Sequence, residues 1–318
     1  MRNIHQLLLC FLISLLPFVS IAQQFDTIIR DGRIVDGSGN PWYVTDIGIN
    51  NDRIVRIADL SDATANRVID ASGLVVSPGF IDPHAHIQTK IHQFPQPENF
   101  LRQGITTICA SLHSGDQPWP LDSYANSLQI APNVAFFSGL NWTRKKVIGL
   151  EDRPATAREL DSMKYYVAET MKQGALGFSV GLIYVPGLYA STNEIIELAK
   201  VASSYDGIFI SHMRNEGSKL LDAIRETIII AKEAKIPAQI NHFKAAGVAQ
   251  FGLASRGLEI IDSAIKNKLN KIKIKWNKKN SITIVLCARG YPSSYIKNSE
   301  IKNLSNIFCD DDNQIFHA

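Results

Sequence analysis

Between Asp26 and Val76 the apolar residues come in short runs broken by turn-forming pairs. Thr27-Ile28-Ile29, Ile34-Val35 and Ile47-Gly48-Ile49 are such runs, and Asp31-Gly32 and Asp36-Gly37-Ser38-Gly39-Asn40-Pro41 are the breaks. Short runs rich in β-branched residues predict strands, and Asp-Gly and Asn-Pro steps predict turns. Residues 23–76 are therefore expected to be the N-terminal part of a small β-sandwich domain. So few strands bury too little surface alone, and partner strands are expected from elsewhere in the chain.

The rhythm changes at Val75. Apolar strand cores at Ile81–His86, Thr106–Ala110, Val134–Phe137, Leu176–Ser179, Ile208–His212 and Ala238–His242 alternate with amphipathic stretches at helical spacing. Thr156 and Glu159 make a capping-box pair ahead of Leu160, Met163, Val167 and Met171, and Gly174 closes that helix. Ser191 and Glu194 make a second pair ahead of Ile195, Leu198, Ala199 and Ala202, with Gly207 as the stop. Ser218 to Lys235 is a third amphipathic helix. Six β-then-α units in succession predict an α/β fold, a TIM-type (β/α) barrel over residues 77–265, with a doubly wound open sheet as the alternative. A complete barrel takes roughly 250 residues and this stretch supplies about 190, so the barrel is expected to be incomplete, short of about two units at its C-terminal end. Residues 266–318 shift to Lys, Asn, Ile and Ser without alternation and are expected to form an atypical tail.

Composition adds two points. With 45 % apolar residues in 318 the chain can bury a sizeable core, and its net charge is +3. Seven lysines between Lys266 and Lys279 account for that excess, so no nucleic-acid partner is expected. The N-terminus has the layout of a cleavable signal peptide over residues 1–22: Arg2, the apolar run Leu7–Ser20, then small residues in Ser20-Ile21-Ala22. The run is short for an anchor, so the mature chain is expected to be exported, periplasmic or extracellular, with no stable membrane span. Cys109, Cys287 and Cys309 then remain, an odd and irregular set that does not describe a disulfide framework.

Four histidines fall at the ends of expected strands. His84 and His86, two residues apart, share one strand face; His212 ends the fifth strand and His242 the sixth. One histidine at a strand end is ordinarily a satisfied polar residue. Imidazoles from strands one, five and six of one barrel, however, converge at the rim where such barrels build active sites. They are candidate ligands for one or two divalent ions such as Zn²⁺. Lys244, two residues past His242 on the same expected strand face, is a candidate anchor for a substrate carboxylate or acyl oxygen. Arg214 and Glu216 follow His212 and are read either as orienting the loop or the metal ligand, or as a local surface ion pair, with Arg214 also a candidate for binding substrate. Tyr184 and Tyr189 lie in a Pro/Gly-rich loop able to wall a pocket.

Gly79-Phe80-Ile81-Asp82-Pro83-His84-Ala85-His86 resembles the first-strand signature of the amidohydrolase superfamily. Gly104-Ile105-Thr106-Thr107, the segment from Gly174 to Leu182, Ser211-His212-Met213-Arg214-Asn215-Glu216-Gly217 and Gln239-Ile240-Asn241-His242-Phe243-Lys244 are similar to N-acyl-D-amino-acid deacylases, the D-aminoacylase family. The resemblance covers about residues 25–264. It implies a metal-dependent hydrolase that cleaves a C–N amide bond in a small N-acyl amino acid, with His-x-His and the histidines of strands five and six holding zinc. It also implies a strand-eight aspartate as general base and then acid.

The chain departs from that pattern in three places. Gln88 stands where an acid often follows the His-x-His. His113 stands where a D-aminoacylase has a cysteine ligand, which makes His113 a further candidate ligand, while Cys109 reads as a buried strand residue. The strand-eight aspartate is not located, so the catalytic base is unassigned; Asp310, Asp311 and Asp312 read as a solvated acidic run. Two alternatives remain. A cyclic-amide hydrolase of the dihydroorotase or hydantoinase kind is disfavoured by the lack of a lysine in Leu176–Ser179. A non-catalytic fragment is the other, since a barrel short of two units has open strand edges.

Overall fold

The structure is a computed structural model and describes residues 24–266 apart from Thr89, Leu112 and Ser114. The signal peptide and the tail expected from the sequence lie outside the described residues. The chain divides into two compact units, with the boundary between Gly79 and Phe80.

The first unit contains β1 (Gln24–Ile34), β2 (Tyr43–Asn50), β3 (Arg53–Ala58), β4 (Thr64–Asp70) and β5 (Val75–Val76). They form one sheet in the order β3-β2-β1-β4, with β5 also beside β1. β2 is antiparallel to β1 and β3, whereas β4 and β5 run parallel to β1. The Asp31-Gly32 step is not a turn. β1 continues through it with a register shift between Ile29 and Gly32, and Asp31 takes a φ of 57°. Its amide donates to Oδ1 of the buried Asp46 at 2.9 Å, so the pair makes a bulge inside an unbroken ladder. Phe25, Ile28 and Leu60 form the core. Among the described residues this unit is a single sheet, without the second layer of a sandwich.

The second unit alternates strands and helices. Its strands are β6 (Phe80–Ala85), β7 (Ile105–Ala110), β8 (Asn133–Phe136), β9 (Ser138–Gly139), β10 (Gly177–Gly181), β11 (Ile208–His212) and β12 (Ala238–Ile240). Its helices are α1 (Glu98–Leu101), α2 (Leu121–Ser127), α3 (Leu140–Val147), α4 (Ala157–Lys172), α5 (Thr192–Ser203), α6 (Leu220–Ala234) and α7 (Leu253–Ile265). Two parallel sheets result, β6-β7-β8 and β9-β10-β11-β12. Only Phe137 separates β8 from β9, so the two are halves of one barrel strand, the first paired with β7 and the second with β10. The strands thus fill six successive barrel positions, as the sequence rhythm predicts. Among the described residues β6 pairs only with β7 and β12 only with β11, so the ring is open there.

The period of two assigns the faces. Phe178, Val180 and Phe209 pack with Met163, Val167, Ile195 and Leu198 of α4 and α5. The alternate residues face the other way, where Ile210 clusters with Cys109 and Phe137. Gly177 is required for the β10–β11 pairing, because a Cβ there would lie 1.9 Å from the Ile208 carbonyl oxygen.

The starts of α4 and α5 follow the sequence with one exception. At α4 the Thr156 hydroxyl accepts from the Glu159 amide and Glu159 accepts from the Thr156 amide, a full capping box. At α5 Ser191 accepts from the Glu194 amide at 3.2 Å, but the Glu194 carboxylate turns to Arg144, 2.5 Å away and fully buried. A buried guanidinium without its counter-charge costs several kcal/mol, more than the one bond a complete box adds. The second expected box is therefore only half formed. No helix among the described residues is long and apolar enough to cross a membrane.

Candidate metal centre

Four segments bring imidazoles to one place. On β6, Ala85 enters the helix-side core, which leaves His84 to the opposite face; His86 follows one residue past the strand. His113 lies three residues past β7 and is 1 % exposed. His212 is the last residue of β11, and His242 lies two residues past β12 with a φ of 34°. The sixth strand therefore stops short of the expected His242, and His242 and Lys244 sit in a loop rather than on a shared strand face. The amide of Asn241 still donates to the Ser211 carbonyl at 2.9 Å, and this last ladder bond aims the loop back at β11.

The rings pack closely. Centroids are 5.1 Å apart for His84 and His86, 4.8 Å for His86 and His113, 5.4 Å for His84 and His113, 5.8 Å for His113 and His212, and 4.4 Å for His212 and His242. All five histidines singled out in the sequence meet. Their ligand atoms fall into two groups, His84 with His86 and His113, and His212 with Glu216 and His242; within each the atoms lie within 4.8 Å of one another. The Ser111 hydroxyl is 2.9 Å from His84 Nδ1 and the Ser179 hydroxyl 3.0 Å from His113 Nδ1, which leaves the Nε2 atoms available. Gly181 makes room for this arrangement: a Cβ there would lie 2.7 Å from the His113 ring and 2.9 Å from Tyr184. Tyr184 stacks on His113 and meets His212 edge-on, so it walls the cluster. Tyr189 lies in the short turn Gly187–Tyr189.

Burial, reinforced by neighbouring imidazoles, disfavours the protonated form of His84, His86, His113 and His212. It lowers His113 to about 2 and His84 and His212 to about 4, and His86 is lowered as well. Neutral imidazole is the form that gives a lone pair to a cation. His212 Nε2 and Glu216 Oε1 are buried without hydrogen-bond partners, 4.0 Å apart. Orphaned polar atoms are costly unless something satisfies them, and a gathering of imidazole nitrogens suits a zinc-type ion. The donor set fits a divalent metal.

Other expected residues take different places. Arg214 is used structurally: its guanidinium donates to Glu226, at 2.9–3.2 Å, and to the carbonyls of Leu188 and Ala190. It braces the turn at residues 188–190 to α6 instead of presenting a free cation to substrate. Lys244 is half exposed, with Nζ 2.6 Å from Glu216 Oε2 and 3.0 Å from His242 Nδ1. Glu216, read from the sequence as an orienting group or a surface partner, is buried against both second-group histidines. Ser111 and Ser179 had no distinguishing signal in the sequence. Gln88 is buried and its backbone carbonyl accepts from the Tyr124 hydroxyl. Cys109 is a buried free thiol, pushed up by burial and by Asp82. Asp310, Asp311 and Asp312 lie outside the described residues.

A parallel β/α barrel segment with imidazoles gathered at the strand ends is the framework of a metal-site barrel of the amidohydrolase class. Comparison with known proteins makes this specific. The chain is 35 % identical over 271 residues to D-aminoacylase of Alcaligenes xylosoxydans xylosoxydans, covering 77 % of this chain and 56 % of that protein. It is 31 % identical over 266 residues to the N-acyl-D-glutamate deacylase of the same organism. Among solved structures, a crystal structure of D-aminoacylase matches with a TM-score of 0.71 and 32 % identity, covering 76 % of this chain and 56 % of that one. The N-acyl-D-glutamate deacylase of Bordetella bronchiseptica, complexed with zinc and a phosphonate inhibitor, matches with a TM-score of 0.74 and 28 % identity, covering 78 % and 57 %. No protein-family model matches the chain. Over the matched residues the chain belongs to the D-aminoacylase family of amidohydrolases. It spans about half the length of the curated relatives it matches.

Proposed function

We propose that this chain is a metal-dependent hydrolase of the amide C–N bond in N-acyl-D-amino acids, with His84, His86, His113, His212 and His242 holding one or two zinc ions. The observation that carries this is the meeting of five imidazoles from four separate segments around orphaned donor atoms. A cation there supplies Lewis acidity toward the amide carbonyl and acidifies water. The chain's own residues supply the rest. Ser111 and Ser179 hold the His84 and His113 rings by Nδ1, and Tyr184 screens His113 and His212 from one side. Lys244 keeps an ammonium at the edge of the cluster, suited to the carboxylate of an acyl amino acid. A cyclic-amide hydrolase is the weaker reading, because β10 offers no lysine to bridge two ions. The signal-peptide layout of residues 1–22 supports export to the periplasm or beyond.

The test is zinc content and acetate release from N-acetyl-D-amino acids by the full chain. The expected result is bound zinc, turnover of the D but not the L enantiomer, and loss of both zinc and turnover in His84→Ala and His212→Ala. Turnover untouched by these changes overturns the proposal.

A further inference from the structure

His242 Nδ1 has two neighbours that make opposite demands on it. Lys244 Nζ, which can only donate, lies 3.0 Å away. A Glu216 carboxylate oxygen, which can only accept, lies 2.8 Å away. A neutral imidazole nitrogen carries either a proton or a lone pair, so it satisfies one neighbour at a time. In this structure Lys244 has the hydrogen bond; Glu216 Oε1, though close, lies off the line of an Nδ1–H bond and is buried with none, so a small turn of the ring or carboxylate completes it. Across the ring, His242 Nε2 lies 3.1 Å from His212 Nδ1. With Nδ1 accepting from Lys244, the ring proton is on Nε2 and points at His212. That tautomer has no Nε2 lone pair for a cation.

We propose that Glu216 is a positioning residue for metal loading: it is the acceptor that lets His242 carry its proton on Nδ1, which makes Nε2 a ligand atom and releases one Lys244 N–H for substrate. The inference rests on the reading of the cluster as a metal site. One proton leaves Nε2 and one arrives at Nδ1, so the ring stays neutral. Glu216 is built for the exchange. Its second oxygen already holds Lys244 at 2.6 Å, a contact that does not run through the ring. Its backbone carbonyl accepts from the Ala246 amide at 2.7 Å, which ties the loop after β12 to the loop after β11. A carboxylate behind a ligating imidazole is a general means of fixing ring orientation and tautomer.

The test uses the full chain labelled with ¹⁵N-histidine, because two-bond ¹⁵N–¹H spectra read the tautomer without any turnover. The metal-free protein should show His242 with its proton on Nε2, moving to Nδ1 as zinc is added. Glu216→Gln should keep cooperative unfolding yet weaken zinc by about 10–100-fold. Lys244→Met removes the competing donor, so it should place the proton on Nδ1 without zinc and tighten zinc binding. A merely structural role predicts weakening in both variants, and that outcome overturns the inference. So does a zinc affinity in Glu216→Gln within about threefold of the parent, far under the usual effect of such a partner. Should the parent bind no zinc, the metal-site reading itself fails; the tautomers of the metal-free parent and Lys244→Met still decide whether Glu216 and Lys244 compete for Nδ1.

Discussion

The two groups of imidazoles are held on different terms. His84 and His113 lean on the hydroxyls of Ser111 and Ser179, whereas His212 and His242 meet a carboxylate and an ammonium. A hydroxyl donates or accepts as its partner requires, so it holds a ring in place without choosing its tautomer. A carboxylate and an ammonium choose. The first group is therefore governed by shape, set by the room beside Gly181, and the second by charge. The largest expected effect tests whether the groups act as one site. His113→Ala and His212→Ala, one from each group, should each weaken zinc by more than the roughly 100-fold that marks the upper end for a supporting residue. If the groups share one ion, calorimetric titration shows each variant losing the whole binding event. If each holds its own ion, each variant loses one equivalent and keeps the other.

Shape control of the first group is tested next, by Gly181→Ala. The added Cβ lies 2.7 Å from the His113 ring, backed by the enclosed Ser179 contact, so the ring has little space to give. Overpacking of this kind costs about 1–3 kcal/mol, seen as a lowered denaturant midpoint with an unchanged slope. Zinc held by His84, His86 and His113 should weaken while the His242 tautomer stays as it was. Equal weakening in both groups, with the tautomer altered, refutes the separation into a shape-controlled and a charge-controlled half.

Much of this was legible in the sequence, for physical reasons that differ by element. The six barrel strands and the helices α4, α5 and α6 announce themselves because parallel strands buried on both faces and amphipathic helices each impose a period, and because Thr156 and Glu159 act within one turn. The positions of His84, His86 and His212 follow from that period. Misreadings occur where a distant partner decides. Asp31-Gly32 looks like a turn because nothing local reveals that Asp46 will bind its amide and β2 will continue beside it. Glu194 looks like a capping residue because the buried Arg144, fifty positions away, is invisible to a local pattern. His242 is expected on a strand and Lys244 beside it, but β12 ends at Ile240, opposite Ser211 of β11, and both side chains turn toward Glu216. The roles of Ser111, Ser179 and Glu216 arise only from tertiary proximity, which no spacing encodes.

The smallest effect is the dependence of stability on pH, and it sharpens the contrast between the groups. Burial, then neighbouring imidazoles, takes His113 from an ordinary value of 6.5 to about 2 and His84 and His212 to about 4 on folding. The unfolded chain therefore binds more protons than the folded one from about pH 6.5 downward, and the metal-free protein must lose stability as pH falls through that value toward 4. For a ring as enclosed as His113 the slope approaches about 1.4 kcal/mol per pH unit; His84 is partly exposed, and solvent reduces its share. Two of these three rings belong to the first group, so replacing His113 with Leu should flatten the profile more than replacing His212, where Glu216 opposes the shift. Urea midpoints of the metal-free parent and the two variants at about pH 3.5 and about pH 7 measure this, because the two rings diverge only once the pH passes below the value of about 4 that His212 keeps. A parent midpoint that is the same at both pH values would show that the rings are open to water when no metal is bound, and the enclosed, neutral cluster would have to be assembled by the ion itself.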